Sequence, residues 1–261
     1  MHAAAVTHAL LGVVVGEDRM NVKELWGTAV GWTWAPAIAV VAALKRARFF
    51  HPEGVCYLAT VSALSEEALA QDMSGSALVR MSTALWRYGK EWPDVLGCAI
   101  RFGWSGEEQA NLKTQDLLFA TARSPLTVWV APISTKVHDY LANHYFAVSP
   151  FHAPGLGRVK WRLRPSQPPP VLLRQTRNQR LQSAVESESA VLTLEFAQGI
   201  LDDWHPFARV ELREPVTLDQ AKLRFSPFRN GLGIKPVGYV HALRHGAYAA
   251  SQMARPDHSP G

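Results

Sequence analysis

The sequence predicts an α+β protein whose larger part is antiparallel β-structure, either a barrel or a sandwich. From Gly54 onward the chain is a series of short segments rich in Val, Ile, Leu, Thr and aromatic residues, and Gly, Pro and Ser separate them. Many short strands with such punctuation are typical of barrels and sandwiches. A last segment, residues 238–253, has helical composition and ends before Pro256.

Nine segments have the composition of strands. In chain order they are VCYLATV (55–61), ALVRMST (77–83), LGCAIRF (96–102), DLLFATA (116–122), LTVWVA (126–131), HYFAVSPF (144–151), RVKWRLRP (158–165), ESAVLTLEFAQG (188–199) and FARVELREPVTL (207–218). The tract SQPPPV (166–171) predicts a stiff connection, and residues 174–182 are polar and either loop-like or helical.

Composition limits the class of protein. With 261 residues, 48% hydrophobic residues and nine tryptophans, the chain can bury a sizeable core. Two cysteines, Cys56 and Cys98, cannot build a disulfide framework, which favours the cytoplasm. The formal net charge is +5, but the basic residues are scattered, so we expect no nucleic-acid partner.

The first 47 residues form an apolar arm. Residues 25–44 carry no charge and are followed by Lys45 and Arg46. This length is just enough to cross a bilayer, and three tryptophans within it favour an interface. The alternatives are a buried or surface-docked helix begun or kinked at Pro36, in contact with a membrane surface or another subunit. We therefore expect a cytoplasmic protein that can associate with membranes.

Two strings carry candidate chemistry. RFFHPEG (48–54) places a histidine between an arginine and a glycine, although a histidine before proline is by itself an ordinary loop residue. LRHGAYAASQMAR (243–255) places Arg244 and Tyr248 four residues apart, on one face of the predicted helix. A neighbouring guanidinium favours the phenolate form of a tyrosine, which can bind a metal.

Together with three strings between them, these segments resemble the catalase superfamily. The distal motif is matched by Arg48, His51 and Gly54, and the following VRFST strand by Val79, Arg80, Met81, Ser82 and Thr83. The DxxGxAxKF segment is matched by Asp94, Gly97, Ala99, Arg101 and Phe102. The proximal region is matched by Phe225, Pro227, Gly233, Ile234, Pro236, Arg244, Tyr248 and Arg255.

The resemblance implies a catalase-type antiparallel barrel with flanking helices over residues 48–256, with a proximal helix near the C-terminus and a disordered tail at 257–261. It implies heme b with ferric iron bound by Tyr248, and a catalytic His51 that moves a proton on the opposite face. Further heme-binding residues are implied at Arg48, Arg80, Arg244 and Arg255, with Arg48 and Arg80 toward the propionates.

The sequence departs from the family pattern at two places. Residues 236–244 are one residue shorter than usual. DLLFATARSP (116–125) lacks the distal asparagine, and Thr121 or Ser124 would have to donate a weaker hydrogen bond there. Thr121 is therefore the second candidate catalytic residue, and turnover with a second hydrogen peroxide is in doubt.

The expected function is reduction of a hydroperoxide by a peroxidase that uses a small organic reductant and forms a homo-oligomer. A lipid hydroperoxide isomerase or dehydratase on the same fold is an alternative, because the apolar arm suits a membrane-derived substrate. A non-catalytic heme-binding or interaction protein is another. Iron ligation by His241 or His245 is a lesser alternative, since neither lies at the motif position.

Overall fold

Eight strands close into an antiparallel β-barrel. The structure is a computed structural model that describes residues 53–86, 88–106, 113–124, 127, 130–147, 149–167, 174–199, 203–219 and 223–237. Its ten strands are β1 (Glu53–Ala63), β2 (Gly75–Thr83), β3 (Leu96–Phe102), β4 (Gln115–Ala120), β5 (Tyr145–Phe146), β6 (Phe151–Ala153), β7 (Gly157–Pro165), β8 (Val191–Ala197), β9 (His205–Val216) and β10 (Lys235–Pro236).

Hydrogen bonding follows the order β7-β5-β4-β3-β2-β1-β9-β8, and β8 pairs again with β7 to close the ring. Every pairing in this ring is antiparallel. Strands β6 and β10 extend from β7 outside the ring. Closure removes the free sheet edges of these eight strands within the described chain.

Within the described ranges, three short helices and one turn of 3-10 helix accompany the barrel. They are α1 (Ala68–Asp72), α2 (Ala131–Ser134), the 3-10 helix (Tyr140–Ala142) and α3 (Arg177–Glu186). Helix α3 begins at a capping box, in which the Thr176 side chain accepts from the Gln179 N–H while the Gln179 side chain accepts from the Thr176 N–H. This box explains why the polar 174–182 segment is helical.

Alternation along the strands separates an inner face from an outer face. Large apolar side chains such as Met81, Ile100, Phe119 and Trp161 point inward and belong to one buried cluster. Leu69 of α1 and Leu181 of α3 join the same cluster. The barrel interior is therefore a packed core rather than a channel.

The two ends of the barrel are distinguished by their connections. The lower end carries residues 64–74, which join β1 to β2 and contain α1. The upper end carries residues 84–95, which join β2 to β3, and α2, which follows β4. Strand β1 begins at the upper end, because Glu53 pairs with Thr83, the last residue of β2.

The predicted antiparallel barrel is confirmed, whereas the expectation that it is of the catalase type stays a prediction. The arm 1–47, the tail 257–261 and the predicted proximal helix lie outside the described residues. No helix in the described part of the chain combines the length and apolar character needed to cross a membrane.

Two predicted strands were wrong in part. In LTVWVA (126–131), Val130 lies in a turn and Ala131 begins α2, because Pro132 has no N–H for a strand ladder and suits a first helical turn. HYFAVSPF (144–151) is divided between β5 and β6, and Pro150 lies at the break. Strand composition alone does not locate such interruptions.

Two glutamates on the outer face offer a matched test of barrel closure. Glu195 on β8 accepts from Arg162 Nε at 2.5 Å and Arg164 Nε at 2.9 Å across the closing β7–β8 pair, and its side chain is almost fully buried. We predict that Glu195→Ala lowers the free energy of unfolding by roughly 3 kcal/mol, because two cations lose a buried partner. Urea unfolding followed by circular dichroism measures this.

Glu211 on β9 is the control, because it also pairs with two arginines, Arg209 and Arg213, but these are about half exposed. Glu211→Ala should cost less than about 1 kcal/mol. Equal losses in the free energy of unfolding for the two variants would show that the buried ion pairs across β7–β8 stabilise the barrel no more than the exposed ones do.

Candidate functional site

The outer face of strands β1 to β4 carries small side chains next to one arginine. Because the inner residues of these strands are the buried apolar ones, the alternate residues point outward. Pairing places the outward residues in two rows, Gly54, Ser82, Gly97 and Ala120 in the upper row and Cys56, Arg80, Ala99 and Leu118 in the lower row. This outer platform bears no side chain larger than that of serine in its upper row.

Gly54 makes room for the Arg80 side chain. A Cβ atom at position 54 would lie 2.7 Å from Arg80 Cζ, 2.8 Å from Arg80 Nε and 2.8 Å from the Met81 carbonyl oxygen. These distances are shorter than real Cβ contacts, so a larger residue would displace the guanidinium or the neighbouring strand. The glycine of the first motif therefore sets the position of the arginine of the second.

Arg80 is a partly buried cation. Burial lowers the pKa of its guanidinium, while the nearby Cys56 thiol and Tyr140 phenol act in the opposite direction. Arg80 thus places a positive charge in the lower row of the outer platform.

The motif aspartate has a structural task. Asp94 is fully buried and accepts hydrogen bonds from the backbone N–H groups of Leu85 at 3.0 Å, Trp86 at 3.4 Å and Val95 at 2.7 Å. Burial raises the pKa of its carboxyl, and these N–H donors oppose the rise. Asp94 thus fixes the connection between β2 and β3 rather than facing the platform.

The motif residue Arg101 anchors a distant segment. Its Nε lies 2.9 Å from Asp116 Oδ1, and both side chains are almost completely buried. Asp116 Oδ2 also accepts from Arg229 Nη1 at 2.6 Å and from the Ser226 N–H at 2.8 Å. This Asp116 network holds residues 224–229 against β3 and β4.

The same segment packs beside the platform. Phe225, the first proximal motif residue, lies 4.9 Å from Arg101 Cζ, measured to the ring centroid. Phe225 also packs on a cluster that contains Cys56, Leu78 and Leu223. The structure therefore brings residues of the proximal motif to the outer face that carries Arg80.

Thr121 lies at the upper end of β4, and its hydroxyl forms hydrogen bonds within the protein. Its Oγ1 accepts from the Leu96 N–H at 3.2 Å and lies 2.8 Å from Thr135 Oγ1. Since Thr135 donates to the Ala131 carbonyl at 2.7 Å, the shared proton between the two threonines comes from Thr121. Thr121 would have to leave this bond to donate to a substrate. Ser124 is similarly engaged with Thr127.

Five predicted site residues lie outside the described residues, namely Arg48, His51, Arg244, Tyr248 and Arg255. His241 and His245 lie outside them as well. In the sequence, His51 lies two residues before Glu53, where β1 begins, and three before Gly54 of the upper row. Within the described ranges, no group of three or more His, Cys, Asp or Glu side chains is arranged to hold a metal ion.

The Asp116 network was not predicted from the sequence. Asp116 pairs with both Arg101 and Arg229, and because Asp116 and Arg229 are 113 residues apart, no local pattern joins them. The shared outward direction of the small residues was not predicted either, although Gly97 and Ala99 belong to the motif segment. A register between strands was the signal needed to find that face.

No protein-family model matches the chain, and a comparison with curated proteins finds no significant relative. The resemblance to the catalase superfamily thus depends on the motif residues alone.

Gly54 provides a test of the platform. We predict that Gly54→Ala lowers the free energy of unfolding by about 1–3 kcal/mol, because the new methyl group overlaps Arg80 and the Met81 carbonyl. The loss should be smaller in an Arg80→Ala background, where only the carbonyl remains in the way. Urea denaturation of the four variants in this cycle measures the coupling.

Ser76→Ala, at an exposed position of β2, is the control and should change stability by less than about 0.5 kcal/mol. If Gly54→Ala lowers the free energy of unfolding equally with and without the Arg80 side chain, then the new methyl group does not contact Arg80.

Proposed function

We propose that this protein is a heme-dependent enzyme of the catalase type that reduces hydroperoxides, working as a peroxidase with an organic reductant. The observation that carries the proposal is the outer platform. Motif residues from three consecutive strands, β1, β2 and β3, share one face of the barrel, and they combine small side chains with the partly buried cation of Arg80.

A porphyrin would suit the outer platform in shape and in charge. Gly54, Gly97 and Ala99 add little side-chain bulk to this face, over which a flat ring would lie, and Arg80 would pair with a propionate. Arg48 would hold the second propionate, and Tyr248 would bind the iron. Heme supplies the redox chemistry when it is bound.

The protein's own residues would do the rest. His51 would accept the proton of a hydroperoxide and return it to the departing oxygen, so that the O–O bond breaks with a neutral leaving group. Arg244, four residues before Tyr248 in a helical segment, would stabilise the phenolate form of that side chain. Arg255 would add a second cation on the proximal side.

The hydrogen bonding at Thr121 favours a peroxidase over a catalase. A catalase reaction needs a distal donor that positions a second hydrogen peroxide, and the aligned segment has no asparagine. The Thr121 hydroxyl, which could replace the asparagine, donates to Thr135 instead. An organic electron donor at the edge of the heme does not require this distal donor.

Heme binding is the first prediction of this proposal. The full chain purified with heme should show a Soret band, and Tyr248→Phe should abolish the charge-transfer bands of a phenolate-bound ferric heme. Arg80→Ala should weaken heme retention by roughly 10–100-fold, because a propionate loses a charged partner. Absorption spectra and the rate of heme transfer to apomyoglobin measure these changes.

Arg158→Ala is the matched control, since Arg158 is exposed on β7, and it should retain heme normally. Absence of a Soret band in the wild type would reject the proposal. An unchanged spectrum in Tyr248→Phe would reject the ligand.

Activity provides the second prediction. With hydrogen peroxide and guaiacol, His51→Ala should keep its heme and lose roughly 10²–10⁴-fold in the rate of donor oxidation, because the proton carrier is gone. Stopped-flow and steady-state assays measure the loss. Full activity in this variant would show that His51 does not take part in the reaction.

The donor distinguishes the enzyme from an isomerase. A peroxidase should consume no fatty-acid hydroperoxide without guaiacol or another donor. Turnover of a fatty-acid hydroperoxide in the absence of any donor would instead establish a lipid hydroperoxide isomerase or dehydratase.

A further inference from the structure

Two connections at the upper end of the barrel expose large apolar side chains. The first loop is residues 84–95, and the second loop is the segment that follows β4 and contains α2. Six large hydrophobic residues are exposed within the described part of the chain, and five of them lie on these loops. We call the five the upper patch: Leu85, Tyr88, Trp92, Val130 and Ile133. Tyr88 and Ile133 are each 85% exposed, which is far beyond what a packed residue shows.

The two loops lie side by side. Ala84 and Val95, at the ends of the first loop, pack on Ala122 and Ala131 of the second. The hydrogen bond of 2.8 Å between Thr121 and Thr135 ties the second loop to β4. Leu85 and Val130 are the chain neighbours of Ala84 and Ala131, so the two sets of exposed side chains start from one packed base.

The loops are also internally fixed. The Asp94 carboxylate binds the N–H groups of Leu85 and Trp86, and Trp92 packs edge-on against Trp86 with ring centroids 5.0 Å apart. Tyr88 and Gly89 both have a positive φ, as in a tight hairpin turn, which places the Tyr88 ring at the tip. Little conformational entropy would be lost when such side chains are buried by a partner.

The charges around the upper patch are positive. Lys90, Arg123 and Lys136 are exposed on or beside these loops. The acidic residues of the same loops are engaged elsewhere, because Asp94 is fully buried and Glu91 binds the Arg177 N–H and the His138 ring. Lys90 itself lies over the Trp92 ring, with Nζ 4.8 Å from the centroid.

We propose that the upper patch docks onto the interface of an anionic lipid membrane. Trp and Tyr are enriched where a protein meets lipid headgroups, since their rings are apolar and their N–H or O–H groups remain hydrated. Lysines beside them attract anionic headgroups. A protein partner fits less well, because the cores of protein interfaces are depleted in lysine.

The upper patch consists of residues other than 25–44, and the proposal does not depend on heme. The upper row of the outer platform, Gly54 to Ala120, lies at the same end of the strands as the upper patch. Docking would bring that end of the barrel toward lipid. The membrane would therefore face the end of the protein at which β1 begins.

Vesicle binding tests the proposal. The full chain should sediment with vesicles of 30% phosphatidylserine and 70% phosphatidylcholine, and weakly with pure phosphatidylcholine. The double variant Trp92→Ser with Ile133→Ser should lose about tenfold or more in partitioning, because one large apolar side chain is removed from each loop. The Lys90→Gln with Lys136→Gln variant should lose binding mainly at low salt.

Leu64→Ser is the matched control. Leu64 is 51% exposed and Trp92 is 53% exposed, but Leu64 follows β1 at the lower end of the barrel. The control should bind vesicles as the wild type does. Because all the altered side chains are exposed, thermal unfolding by circular dichroism should show the variants folded.

A second measurement locates the contact. Brominated phosphatidylcholine in the vesicles should quench tryptophan fluorescence, and Trp92→Phe should remove part of that quenching while binding persists. The proposal is overturned if the wild type fails to bind, if the double variant binds equally well, or if Trp92→Phe leaves the quenching unchanged. A wild type that ignores vesicles but forms a dimer lost in the double variant would make the upper patch a protein interface.

Discussion

The buried carboxylate of Asp116 is the constraint on which the outer face of the barrel depends. It lies between two cations, Arg101 on the neighbouring strand and Arg229 from a segment more than a hundred residues later, and it accepts the Ser226 N–H as well. A charge that is removed from water needs partners of this kind, and the loss of the Asp116 carboxylate would leave both arginines uncompensated. The network therefore fixes where the segment 224–229 meets β3 and β4. Without it, the apolar contacts of Phe225 and Leu223 would have no fixed register.

The barrel imposes a second constraint through its period of two. Inward side chains fill the core on β2 from Ala77 to Met81 and on β3 from Leu96 to Phe102, so the site residues of these strands come from the alternate positions. Among those, Leu78 and Arg101 are large. Toward the upper end they become serine, glycine and alanine. Arg80 lies between the large and the small outward side chains.

Part of this arrangement could be predicted from the sequence, and part could not. Strand composition located most of the strands, because β-branched and aromatic residues dominate them. It could not decide between barrel and sandwich, because closure depends on the pairing of β7 with β8, which is a contact between whole strands. LTVWVA has strand composition, but Pro132 and the Ser124–Thr127 turn override it. Arg80 was found through its motif. Asp116 was not, since its role exists only once β3, β4 and residues 224–229 are together.

The upper end of the barrel combines rigidity with exposure. The connection 84–95 is held from within by the Asp94 carboxylate, which accepts the Leu85 and Val95 N–H groups, while Tyr88 and Trp92 remain exposed. Helix α2 is likewise held from beneath, by Ala131 and by Thr135 through Thr121. The Thr121 hydroxyl, which resembled a catalytic donor in the sequence, donates within the protein and thereby supports the second loop of the upper patch.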